Sequence, residues 1–366
     1  MFRQLLTITA NTYTESIRQP IFLVLTLVAA IGLTLNPSLS AYSMETGDGD
    51  KKLLVDMGLS MVFLTGILLA AFTATGVLSR EIEQRTVLTV VSKPVARPIF
   101  VLGKYLGVAG AILTAYWVLC LLLMSTYRHG VMSTARDRLD WPVIGLNLGA
   151  LLLAGLIAAA GNYLYRWIFT STFVKTWAVT ITLAFAGVLV LGHDGHLQSP
   201  LHEFTAHQGE LVQVAVGLLM IFEAVLILTA LAIAVSTRLG QVMTLLLCVG
   251  VFLLGIITSS LSGKVNIALS LPADLDVMSS LLAVAQANLP WATKGVYVLT
   301  KLLYVAVPNL QFLWPADAIS QGHSLIHDRA GQFSLTMLGL ITAYASLYTA
   351  VVLSAAVILF QRREVG

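Results

Sequence analysis

An all-α protein threaded several times through a bilayer is what this sequence predicts, and three observations predict it. Of the 366 residues, 57% are hydrophobic and only 11% are charged, whereas a soluble domain carries about 25% charged residues. The mean hydropathy is +0.87. Apolar runs over 211–235 and 335–360 reach the ~20 residues that cross a bilayer as a helix. Backbone groups in lipid must be satisfied within their own segment, so such runs are read as helices.

In chain order, residues 1–19 come first. Phe2, Leu5, Leu6, Ala10, Tyr13 and Ile17 form one helical stripe, with Asn11 and Glu15 opposite and Thr12 and Thr14 at its edges. That pattern predicts an amphipathic helix in the membrane interface. Pro20 suits the first turn of a new helix, where a missing N–H is no loss. Eight spans are expected at 21–41, 53–78, 99–125, 142–165, 168–192, 211–235, 240–261 and 334–360. Ser38-Leu39-Ser40 has the look of a cleavage site. The 20 residues before the first run are long and weakly basic for a signal peptide, so a retained span is expected. Residues 20–261 thus hold seven spans with a loop at 79–104, and 334–366 hold the last span and a tail. Short turns at 165–168 and 236–239 make two helical hairpins, which need no duplicated sequence.

Between them, 262–333 is expected to lie on the outer face. Within it, 293–310 is apolar but interrupted by Lys294 and Lys301 and bounded by Pro290 and Pro308. It is read as an amphipathic or re-entrant helix rather than a ninth span.

Basic residues near span ends set orientation. A cytoplasmic N-terminus places Arg3, Arg18, Arg80, Arg85, Lys93, Arg97, Lys104, Arg166, Lys175, Arg238, Arg362 and Arg363 inside, the majority of the 21 basic residues. Both termini are therefore expected in the cytoplasm. The net charge of +3 is too small and too dispersed for a nucleic-acid surface. The two cysteines, Cys120 and Cys248, both lie in apolar runs and read as packed small hydrophobes.

The loop at 79–104 carries the most information. Ser79 is a good N-cap, and Glu81 and Glu83 fall where a helix dipole favours acids. Glu81 and Arg85 are four apart and share a face. Pro94 ends the helix near Ser92. A short cytoplasmic helix is expected, charged at its start and apolar at its end. Physics alone also allows an ordinary basic loop at the membrane edge.

Three runs in this region carry a resemblance: Glu81-x-x-x-Arg85-Thr86-x-Leu88, then Ser92-Lys93-Pro94-Val95-x-Arg97, then Gly103-Lys104-Tyr105-Leu106-Gly107. Together they resemble the cytoplasmic loop of ABC-2 type transporter permeases. The resemblance extends to the N-terminal helix and to Ser236-Thr237-Arg238-Leu239-Gly240. It also takes in Val307-Pro308-Asn309-Leu310 with Asp317-Ala318-Ile319. The chain departs from the family in having Arg85-Thr86 where Gly-Thr is usual, and eight spans where six are usual.

The resemblance implies a permease subunit of an ATP-driven exporter in a bacterial inner (plasma) membrane, paired with itself or a sister permease. Glu81, Glu83, Arg85, Ser92, Lys93, Pro94 and Arg97 would couple it to a separate ABC-type ATPase subunit, which would hold ATP and Mg. The chain is then not itself an enzyme. The residues agree, because neither Gly103-Lys104 nor Gly263-Lys264 belongs to a G-x-x-x-x-G-K-[ST] phosphate loop. An apolar interior is mildly more compatible with a lipid-like cargo than with a small ion.

Two other features of the sequence could carry chemistry. Glu223 sits near the middle of the sixth span, where an ionised side chain costs several kcal/mol. It is either a contact for a proton or substrate, or a protonated or paired acid facing other helices. The loop 192–209 holds His193, Asp194, His196, His202, Glu203 and His207, a set that can bind Zn²⁺ or Cu²⁺. No two of these histidines have the i, i+4 spacing of a helical pair, so a solvated loop is expected instead. Nothing in the spacing of Ser, His and carboxylates suggests covalent catalysis. Two further function classes stand beside the permease: a membrane scaffold that moves no substrate, and an ion-driven carrier using Glu223.

Overall fold

The structure is a computed structural model that describes residues 2–42, 48–83, 96–131, 139–192, 195–200, 210–268, 277–286, 290–315 and 335–361, with Ile319 and Leu325. The described residues form helices α1 (Phe2–Arg18), α2 (Pro20–Ser40), α3 (Asp48–Glu83), α4 (Arg97–His129), α5 (Trp141–Tyr165) and α6 (Phe169–Val190). There follow α7 (Glu210–Ser236), α8 (Gln241–Ala268), α9 (Val277–Gln286), α10 (Trp291–Ala306) and α11 (Thr336–Gln361). Eight of these, α2 to α8 and α11, are long and apolar enough to cross a bilayer. The protein is an all-α, multi-pass membrane protein.

The chain divides into two units. The larger comprises residues 1–245 and 315–366, and α4 is its axis, touching α1, α2, α3, α5, α6, α7 and α11. Polar contacts define its two ends. At one end Thr170 Oγ1 donates to the Arg18 carbonyl at 3.0 Å, Arg238 to the Leu359 carbonyl at 3.3 Å, and Phe100 stacks on Phe360. The end of α1 thus meets the start of α6, and the ends of α7 and α11 meet near the start of α4. At the other end Arg128 and Asp140 meet. The side chains are 2% and 0% exposed, with Nε 3.6 Å from Oδ2. The Arg128 guanidinium also donates to the carbonyls of Val188 and Leu191. Asp140 accepts from the Val143 N–H at 3.2 Å through its other oxygen, capping α5. One ion pair thus joins the end of α4, the start of α5 and the end of α6.

Helix α1 is present where the periodicity places it, but its packed face differs from the expected stripe. Phe2 and Leu6 are exposed, while Thr12, Ser16 and Ile17 are buried. The cause lies on α4. A Cβ on Gly103 would sit 2.7 Å from Ile8, and one on Gly107 would sit 2.5 Å from Thr12 Cβ and 2.7 Å from the Thr9 carbonyl. These glycines open a groove in which the two backbones approach, as small residues do between membrane helices. Tyr13 Oη and Thr114 Oγ1 close the contact at 3.2 Å.

Helix α3 corrects the reading of residues 79–83. No new helix starts at Ser79; α3 runs unbroken to Glu83. No Gly or Pro interrupts this stretch, so nothing ends the helix where its apolar part does. The loop boundaries shrink accordingly, since residues 97–104 already belong to α4. The remainder of the expected short helix, with Arg85, lies outside the described residues. Lys104, expected at the interface, is 3% exposed, its ammonium 5.6 Å over the Phe100 ring.

The hairpin turns are confirmed. Arg166, in the left-handed region at φ 55°, ends α5, and the Trp167 N–H bonds back to the Gly161 carbonyl. Cys120 and Cys248 are free thiols. The smaller unit, residues 246–314, contains most of α8 with α9 and α10. Helix α10 follows Pro290 and stops before Pro308, as expected, and its 16 residues extend only about 24 Å. Lys301 is buried against the rings of Tyr297 and Tyr304, and Lys294 donates to the Ala285 carbonyl at 2.8 Å.

Two substitutions test this packing. Gly107→Leu overfills the α1 groove and lowers stability by about 1–3 kcal/mol, seen as a lower thermal midpoint in detergent; Gly149→Leu, with open space at its Cβ, leaves the midpoint unchanged. Arg128→Leu strands the buried Asp140 carboxylate and lowers stability by about 3–5 kcal/mol. Adding Asp140→Asn, which keeps the α5 cap, restores part of that loss in the same assay.

Candidate functional site

Glu223 is the carboxylate predicted near the middle of a span, and the structure places it where α7 meets α4 and α11. Helix α7 is held against α4 by Tyr116, whose hydroxyl donates to the Leu218 carbonyl at 2.6 Å and whose ring lies 4.9 Å from that of Phe222. Its other side meets α3, where Gly66 admits Val225. These contacts turn Glu223 towards α11. The residue is 7% exposed. Thr342 Oγ1 donates to Oε1 at 2.6 Å, a length typical of a charge-assisted or strong O–H···O bond. Oε2 is buried and has no hydrogen-bond partner among the described residues.

Beside the carboxyl lies a chamber of about 350 Å³. Tyr105 of α4 and Ser346 and Thr349 of α11 bring hydroxyls to its wall, and Leu226, Ala345 and Leu353 line the rest. Thr342, Ser346 and Thr349 follow at i, i+4 and i+7, which puts all three on one face of α11. A carboxyl with one oxygen engaged and the other unpartnered, beside hydroxyls and apolar walls, is suited to a proton, a cation or a hydrogen-bond donor on an otherwise apolar molecule. Leaving a buried polar atom unpaired is unfavourable by about 1–3 kcal/mol, so the free oxygen marks a place where a ligand gains by binding.

The other candidates are distributed as follows. Glu81 and Glu83 stand in the last turn of α3, and Arg97 opens α4 with its side chain exposed. Arg85, Ser92, Lys93 and Pro94 lie outside the described residues, as do His193, Asp194, His202, Glu203 and His207. His196 is exposed on a turn where the Gly192 N–H bonds to its carbonyl at 2.8 Å. Among the described residues no three His, Cys, Asp or Glu side chains are grouped to hold a metal. The Thr342 partner of Glu223 and the hydroxyls beside it are not among the residues singled out from the sequence, although the Thr342, Ser346, Thr349 spacing is readable as a polar stripe on the last apolar run. Comparison of the chain with protein-family models, with curated proteins and with solved structures finds no match.

A hydrophobic carbodiimide tests access to the carboxyl. In lipid nanodiscs it adds one mass adduct to the peptide bearing Glu223, and Glu223→Gln abolishes the adduct while Thr342 keeps an acceptor. Ala350→Trp, which fills the chamber, slows labelling by roughly tenfold, equivalent to a barrier higher by about 1.4 kcal/mol. An undiminished rate in Ala350→Trp refutes the chamber as the route.

Proposed function

We propose that this chain is the membrane-spanning permease subunit of an ATP-driven ABC-2 type exporter, with its ATPase on a separate chain. The observation that carries the reading is the segment from Glu81 to Arg97, with its Ser92-Lys93-Pro94 turn and the following Gly103-Lys104-Tyr105. Two long helices support it. Helix α3 has 36 residues and α4 has 33, which correspond to about 54 and 50 Å against a hydrocarbon core of about 30 Å. The turns beyond α3's apolar stretch carry Arg80, Glu81 and Glu83, charges suited to a protein partner outside the bilayer. The orientation that accompanies this reading has both termini and this segment in the cytoplasm of a bacterial plasma membrane, with ATP and Mg on the partner.

Coupling requires that the ATP-bound partner prefer one arrangement of the permease over another. The start of α4 is the element such a partner would move. Phe100 stacks on Phe360 at 5.4 Å between centroids, so displacement there reaches α11, the helix that supplies Thr342 to Glu223. This is a contiguous set of contacts, and its coupling energy is for experiment to measure.

The test is a mild-detergent pulldown of the tagged chain from its native membranes, with vanadate-sensitive ATPase activity assayed in the eluate. The expected result is a stoichiometric phosphate-loop ATPase, lost from the complex or uncoupled in the Glu81→Arg, Arg85→Glu variant. Recovery of other proteins with no ATPase overturns the reading in favour of a scaffold. Recovery of the chain alone, under conditions that preserve other membrane complexes, overturns it in favour of an ion-driven carrier.

A further inference from the structure

A second cavity, of about 500 Å³, lies between α2, α4, α5 and α6, at the opposite end of α4 from Arg97. Its volume is in the range of ligand pockets, about 300–1,000 Å³. Its polarity is graded along the helix axes. Ser38, His129 and Thr126 stand at the end where α2 and α4 finish and α5 begins, with Asn147 further in. Below them the wall is Ala30, Leu122, Leu151 and Leu27, with Trp177 at the floor. Along α2 the cavity extends from Ser38 to Leu27, eleven steps of helix or about 16 Å. That depth matches one leaflet, half of the ~30 Å hydrocarbon core.

The cavity also has an open side. Ile31, Leu35 and Leu148 belong to its lining and are 59%, 51% and 53% exposed, so the gap between α2 and α5 faces the lipid. Each wall of the gap is held from behind by a neighbouring helix. Helix α5 is tied to α6 by Thr180 Oγ1 bonding to the Ala150 carbonyl at 3.0 Å, and Asn36 ties α2 to α3 through the Leu54 carbonyl at 2.8 Å. An unfilled apolar volume of this size forgoes dispersion contacts along its whole lining.

We propose that this cavity holds one acyl chain of a phospholipid from the adjoining leaflet. The lipid's glycerol and head group lie at the Ser38, Thr126 and His129 mouth, and its chain runs down to Trp177. Three features select this occupant over a protein segment: a depth of one leaflet, polar side chains that thin out with depth from Ser38, Thr126 and His129 through Thr34 to Asn147, and a lateral opening through which a lipid enters without leaving the bilayer. The inference is independent of the ATPase-coupled reading and concerns a different site from Glu223.

Photolabelling of the full chain in nanodiscs tests it. The discs contain a phospholipid carrying a diazirine near the end of one chain, and adducts are mapped to residues by tandem mass spectrometry. The expected adducts concentrate on Ala30, Leu122 and Leu151, at several-fold the yield on Leu183, an exposed residue of α6 outside the cavity. Ala30→Phe fills the space and brings those yields down to the Leu183 level. Ile144→Trp, at the side of the cavity, does the same and covers the case in which Ala30→Phe does not fold. Equal yields at cavity and surface residues, or cavity adducts that persist in both variants, overturn the proposal. Cross-links from these residues to a second copy of the chain overturn it as well and assign the groove to a dimer contact.

Discussion

The larger unit depends on α4 being enclosed by other helices over most of its length, and the two ends of α4 meet that constraint in different ways. At its start, Gly103 and Gly107 lower the helix surface so that α1 can lie against it, backbone close to backbone. The attraction is van der Waals contact, since lipid offers no hydrophobic reward for joining two apolar surfaces. At its finish, a charge is buried. Arg128 is tolerated because Asp140 and two terminal carbonyls of α6 surround it. Helix C-termini have carbonyls without intrahelical partners, so the end of α6 offers acceptors that a mid-helix segment could not. The orphan carbonyls of one helix and the guanidinium of another thereby satisfy each other.

Glu223 is the contrasting case. Arg128 and Asp140 neutralise each other at the end of the bundle, whereas Glu223 stands halfway along α7 with Thr342 as its donor. A buried pair that is fully surrounded holds helices in place; breaking it is destabilising and changing its partner is difficult. A carboxyl with one oxygen engaged and a chamber beside it can exchange what it binds at less structural cost. Burial alone therefore does not distinguish these two kinds of buried charge; the number of groups that surround each one does.

The spans were legible in the sequence because lipid forces each apolar run to satisfy its own backbone, and all eight appear within a few residues of where hydropathy puts them. Their ends were less legible. Helix α3 passes beyond Val77 into Ser79, Arg80, Glu81, Ile82 and Glu83 with no change of backbone, because hydropathy reports the membrane boundary and helix propensity reports the helix boundary. The packed face of α1 was misread for a related reason. An apolar stripe is read as the inward face, yet here Phe2 and Leu6 face outward while Thr12 packs against Gly107 and Ser16 is buried. In lipid the inward side of a helix is selected by shape more than by polarity. Glu223 stood out by its charge, but Thr342 and the Arg128–Asp140 pair depend on which helices become neighbours, which no single run records.

The positions of the two cavities follow from the same geometry. Among the described residues, α11 packs mainly on α7 and to a lesser extent on α4, and Leu340, Leu347 and Val351 on its other faces are exposed. The chamber at Glu223 lies on that lightly held side. Helix α5 is likewise bound almost wholly through α6, with only a slight contact to α4, and the second cavity lies where it fails to close against α2. Both cavities have α4 in one wall, but each opens where a peripheral helix, α11 or α5, completes the other. A peripheral helix with few contacts is also the element that can shift with little repacking. Space for a ligand and freedom to move therefore occur together in this fold, and for α11 the stacking of Phe100 on Phe360 connects that freedom to the start of α4.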